Sequence, residues 1–274
     1  MCYCVYVLNK NKMTEFFTTR IGDFQGFSFI TVKSNALKKR ADISVFTPLS
    51  KNGISEGISI VILLHGVYGS HWAWTMKGKV HETAQKLINE GRIKPMILVM
   101  PSDGLFGDGS AYVPHKTENY EKWIVEDVIQ VVKEQIAQVN DESPIFIAGL
   151  SMGGFGALRL GAKYPSLFRA FSGLSSITHF NQMAEFVADF EDLTDKALEH
   201  DGVLDFLIQN KDILPPFRFD CGSDDILIEY NRQLHKALID NHIPHIYEEF
   251  SGEHSWDYWT EHIAETLLFF NQFC

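Results

Sequence analysis

Apolar residues along this chain follow two alternating rhythms. Residues 58–64 (ISIVILL), 96–100 (MILVM) and 144–148 (PIFIA) are short, almost unbroken apolar runs. Runs of that length suit β-strands buried on both faces. Between them, residues 79–91 and 120–138 carry apolar positions at helical spacing. In the second, Ile124, Val125, Val128, Ile129, Val131, Val132 and Ile136 make one broad face. The rhythm then predicts helix 153–164, a short strand at 169–172, strand 217–221, helix 226–241, strand 245–250 and helix 256–270. Residues 27–32 and 42–47, rich in Phe, Ile and Val, predict two earlier strands with no helix between them, hence an antiparallel pair.

Strands alternating with helices predict an α/β fold, with a mostly parallel sheet covered on both faces and joined by right-handed crossovers. Residues 174–214 break the alternation. They hold helical stretches at 180–190 and 202–209 and a polar stretch, EDLTDK, at 191–196. They read as a small cap over the strand ends. Residues 1–26 read as an N-terminal extension to a single domain over 27–274.

Composition narrows the partners. With 45% hydrophobic and 22% charged residues, the chain can bury a sizeable core. A formal net charge of -11 repels nucleic-acid backbones and anionic membranes. No apolar run is long enough to span a bilayer. Cys2, Cys4, Cys221 and Cys274 form neither a CxxC pair nor a Cys/His cluster with zinc spacing. Asp103 and Asp108 do not match a calcium loop. No metal and no cofactor are therefore expected, and several copies of the chain could assemble. The opening MCYCVYVLNKNK has an apolar run with no basic segment before it, unlike a signal peptide. The expectation is a cytoplasmic protein, with Met13 as an alternative start.

The chemistry is carried by Gly149-Leu150-Ser151-Met152-Gly153, which joins strand 144–148 to helix 153–164. A serine at such a junction, in G-x-S-x-G, is a nucleophile elbow. The turn lifts the hydroxyl above the sheet, and small residues two before and two after let the chain pass itself. A serine hydroxyl needs a base within reach. In this architecture the order is serine, acid, histidine. After strand 217–221 come Gly222-Ser223-Asp224-Asp225, and after strand 245–250 come Gly252-Glu253-His254. His254 is the candidate base. Asp225, further round its turn, is preferred as the orienting acid, with Asp224 its rival. The Met152 N–H and the Val67 N–H, in the loop after strand 58–64, are the expected oxyanion donors.

The segments LLHGVYGSHWAW, GLSMGGFGAL, CGSDD and GEHSWDYW resemble the esterase branch of the α/β-hydrolase superfamily. That branch holds S-formylglutathione hydrolases, tributyrin esterases, feruloyl and acetyl-xylan esterases and the mycolyltransferases. The resemblance spans roughly residues 27–271. It implies an α/β-hydrolase fold and the same Ser151, Asp225 and His254. Members that act on glutathione thioesters carry a cysteine after the HG-equivalent strand, where this chain has Val67, Tyr68 and Gly69.

Residues around these motifs have two readings each. His71, Trp72, Trp74 and Trp256 are candidates for the substrate pocket or for packing. His65 reads as a brace for the oxyanion loop. Asp103, Asp108 and Tyr112 read as a structured loop, or else as contacts to a substrate hydroxyl. Met183, Phe186 and Phe190 recur at helical spacing, as cap core or pocket wall. Glu126 and Asp127 read as acids opening a helix. The expected function is a serine carboxylesterase acting on short acyl esters, acetyl or feruloyl groups on small sugars among them. The alternatives are an acyltransferase or a thioesterase with the same residues, and an inactive binding module on the same fold.

Overall fold

A computed structural model describes residues 18–49, 57–188, 190 and 202–274. Met13, the first twelve residues and the polar stretch 191–196 lie outside them. Among the described residues, nine strands form one sheet in the order β1-β2-β3-β5-β4-β6-β7-β8-β9. β1 (Thr18–Phe24), β2 (Phe27–Lys33) and β3 (Arg40–Phe46) form an antiparallel meander, and β3 pairs antiparallel with β5 (Met96–Pro101). β5, β4 (Ser59–Leu64), β6 (Ile145–Leu150), β7 (Ala170–Leu174), β8 (Phe217–Gly222) and β9 (Ile246–Phe250) run parallel.

The unbroken apolar runs are explained by two cores. In β4, Ile60, Ile62 and Leu64 face one core and Val61 and Leu63 face the other. β5 and β6 divide in the same way. The first core is roofed by helices that include Met152–Lys163 and Ile228–Asp240. The second is covered by helices Val80–Asn89 and Trp256–Asn271.

Three expectations need correction. Residues 18–24, read as part of an extension, form an edge strand on β2; TTRIGDF has no apolar run to announce it. The helix expected over 120–138 is composite. Tyr120–Lys122 leads into a π-helical stretch, Trp123–Val128, and then into Ile129–Gln135. Asp127 therefore opens no helix. It is buried in the π-helical stretch and accepts hydrogen bonds from the Ser34 hydroxyl (2.5 Å) and the Ala36 N–H (3.0 Å). The π-turn carries its carboxylate to the β2–β3 connection. Glu126 instead pairs with Lys122 at 3.6 Å. At the edge of the sheet, β9 is largely exposed.

Candidate active site

Ser151 stands between β6 and helix Met152–Lys163 with φ 54° and ψ -118°. Non-glycine residues avoid that region, at a cost of about 1–3 kcal/mol. The surroundings enforce it: the Ser151 N–H donates to Leu174 O at 2.9 Å, and its carbonyl accepts from Phe155 N–H (3.1 Å) and Ile177 N–H (3.2 Å). A Cβ on Gly149 would lie 2.1 Å from Gly153 O, and one on Gly153 would lie 2.3 Å from Leu64 O. Both obstacles are backbone, which cannot swing aside. Gly149→Ala should therefore cost about 3 kcal/mol, the upper end of ordinary overpacking, read as a lower midpoint in denaturant unfolding. A midpoint equal to wild type would disprove this account of the turn.

The Ser151 side chain is not used to cap its helix. Its Oγ lies 3.0 Å from His254 Nε2. His254 Nδ1 lies 3.0 Å from both carboxylate oxygens of Asp225. A carboxylate only accepts, so Nδ1 carries the proton and Nε2 presents its lone pair to the serine. Asp225 is buried, and burial works to raise its pKa. The hydrogen bond and charge of His254 and the Leu227 N–H outweigh this and hold the carboxyl below the ordinary aspartate range. Asp224 is placed apart. Its N–H donates to Gly252 O at 3.0 Å, and its carboxylate accepts from the Ser223 hydroxyl at 2.9 Å.

In the loop after β4, the Tyr68 N–H donates to Asp108 O (2.9 Å) and the Gly69 N–H to Gly66 O (3.3 Å). Neither the Val67 N–H nor the Met152 N–H has a protein acceptor among the described residues. The Met152 N–H directly follows Ser151 at a helix N-terminus, where an unpaired N–H suits an anionic oxygen. His65 is buried: its Nδ1–H donates to Gly66 O (2.7 Å) and its Nε2 accepts the Asp103 N–H (3.2 Å). That fixes its tautomer and ties the β4 loop to the β5 loop.

Comparison with known proteins places the chain in a family. Residues 34–270 match the model of the family described as "Putative esterase". The chain belongs to that family. It is a carboxylic ester hydrolase with an α/β-hydrolase fold. The esterase is 28% identical over 264 residues to an acetyl esterase of Caldicellulosiruptor saccharolyticus, covering 87% of this chain and 95% of that one. Among solved structures it is similar to a ferulic acid esterase, with TM-score 0.78 and 23% identity over 90% of this chain and 98% of that one. It is also similar to an S-formylglutathione hydrolase of Staphylococcus aureus, with TM-score 0.73 and 20% identity over 89% and 97%.

The other sequence candidates divide. Trp74 is 1% exposed, and its indole N–H donates to Leu64 O at 2.9 Å, so it is core and not pocket wall. Trp256 packs edge-on against Trp74, at 5.9 Å between ring centroids. His71 turns toward Ser44, 2.7 Å from its hydroxyl, and burial lowers its pKa. Trp72 is partly exposed just before the short helix Ala73–Met76. Asp103 and Tyr112 are buried. The Asp103 carboxylate accepts from Leu105 and Ser110 N–H, and the Tyr112 hydroxyl donates to His65 O. These hydrogen bonds hold the loop. The Asp108 carboxylate takes the Ala188 N–H at 3.4 Å. Met183 is core, and Phe190 packs on Phe180 at 5.4 Å.

Two rings of the esterase flank the imidazole of His254. Phe186 stacks on it at 6.1 Å, and Trp259 meets it edge-on at 4.9 Å. Trp259 went unnoticed in the sequence, although it follows Trp256 by one helical turn in the GEHSWDYW segment. Within the described residues, no three His, Cys, Asp or Glu side chains gather as a metal site, and no helix is long and apolar enough to cross a membrane.

Proposed function

We propose that the protein hydrolyses short acyl esters, acetyl esters first, through an acyl-enzyme on Ser151. The observation that carries this reading is the continuous relay Ser151 Oγ–His254 Nε2, His254 Nδ1–Asp225, with both contacts at 3.0 Å. Ser151 Oγ attacks the ester carbonyl carbon while His254 Nε2 takes its proton. The carbonyl electron pair moves onto oxygen, held by the Val67 and Met152 N–H groups. When the pair returns, the C–O bond to the alcohol breaks, and His254 passes its proton to the departing oxygen. Water repeats the sequence on the acyl-enzyme and frees the acid. Asp225, ionised throughout, orients the imidazole and stabilises its cation.

The likeness to an acetyl esterase over nearly the whole length of both chains supports the short acyl group. The crowding of His254 by Phe186 and Trp259 supports a confined site. A p-nitrophenyl ester series from acetyl to palmitoyl tests it. The expected result is highest kcat/KM for acetyl to butyryl and a steep fall beyond about eight carbons, as the pocket stops admitting methylenes. A rise continuing to palmitoyl would reject the substrate class.

A further inference from the structure

We propose that Tyr68 is a positioning residue for the alcohol half of the ester, acting through Phe186; this rests on the esterase reading above. Tyr68 has φ 58°, a left-handed conformation that a bulky aromatic residue rarely adopts, and the residue is 66% exposed. Neither feature serves the core. The strained backbone instead aims the ring across the site, where its hydroxyl donates to the carbonyl of Phe186. Asp108 secures both ends of this link. Its carbonyl accepts the Tyr68 N–H, and its carboxylate accepts the Ala188 N–H. From the far side, the Tyr230 hydroxyl donates to Glu185 Oε1 at 2.5 Å.

Sheet order shows what the link crosses. β4 and β7 are the two neighbours of β6. Tyr68 belongs to the loop after β4, Phe186 to the segment after β7, and Ser151 to the end of β6. The Tyr68–Phe186 bridge therefore passes over the strand that carries Ser151.

Reaction geometry assigns the side. His254 must deliver its proton to the departing alcohol oxygen, so the alcohol lies next to the imidazole. Phe186 stacks on that imidazole and is only half-buried, so part of its ring borders the alcohol. A ring-bearing alcohol can pack there, and a small alkyl alcohol leaves the contact unused. Once the alcohol has left, the acyl-enzyme no longer meets this wall.

The test compares wild type, Tyr68→Phe and Asp108→Ala. Tyr68→Phe removes only an exposed hydroxyl, and Asp108→Ala attacks the same link from its other end. One arm measures kcat/KM for cyclohexyl acetate against ethyl acetate. The second measures p-nitrophenyl butyrate against acetate, where the alcohol is constant. Losing one hydrogen bond should lower the cyclohexyl preference roughly three- to tenfold, while the butyrate-to-acetate ratio stays within about twofold. Amide exchange of Phe186 to Ala188 should quicken in both variants. An active wild type whose cyclohexyl preference survives both substitutions overturns the proposal, and so does a change confined to the acyl series. A wild type inactive on every ester overturns the esterase reading itself, and this proposal with it.

Discussion

Ser151→Ala lowers ester turnover by about four orders of magnitude or more while the protein stays folded. The size follows from how the relay works. Without the hydroxyl there is no acyl-enzyme, and the remaining groups can only polarise the carbonyl for attack by free water. The fold survives because Ser151 is held by its backbone: the N–H bonds to Leu174, and the carbonyl accepts from Phe155 and Ile177. Alanine keeps all three bonds. Its side chain gives up one hydrogen bond, that with His254. The measurement is kcat on p-nitrophenyl acetate beside the thermal unfolding of the same preparation. A folded variant with activity near wild type would remove Ser151 from the mechanism.

Asp225→Asn lowers turnover by about four orders of magnitude, whereas Asp224→Asn stays within severalfold of wild type. The amide introduced at position 225 would donate where the carboxylate accepts. His254 would then turn its protonated nitrogen toward Ser151 and lose its capacity as base. The imidazolium formed during reaction would also lose its counter-charge. Because the folded environment holds the Asp225 carboxyl below the ordinary aspartate range, wild type keeps this ion as pH falls through the mildly acidic region. Asp224 has no such part. Its carboxylate meets the neighbouring Ser223, and its N–H is committed to Gly252. Parallel kinetics on the two asparagine variants decide the matter, and the reverse ranking would move the acid by one residue.

Much of the architecture could be read from the residues alone, and the reason is local. β4, β5 and β6 are buried on both faces, so their sequences are unbroken apolar runs that hardly depend on the neighbours that bury them. The elbow is equally local. Gly149 and Gly153 are required by backbone that passes 2.1 Å and 2.3 Å from where their side chains would begin. The order of serine, acid and histidine follows from strands that all point their C-terminal ends to one edge of the sheet.

What stayed hidden depends on contacts between distant parts of the chain. TTRIGDF becomes a strand because β2 offers it an open edge, and its own composition does not demand this. Asp127 looks like a helix-opening acid until the π-turn carries it to Ser34, 93 positions away. Trp74 and Trp259 are both tryptophans near a site motif, yet one is sealed against Leu64 and the other abuts His254. Asp224 and Asp225 are the same residue type at adjacent positions. Their separation into turn and relay comes from which carboxylate the β8 turn directs at His254. The reach of Tyr68 to Phe186 spans 118 positions and crosses the strand that carries Ser151. Sequence patterning records how each segment meets water and its own near neighbours. Which side chains then meet across the top of the sheet depends on strand order, and strand order exists only in the folded chain.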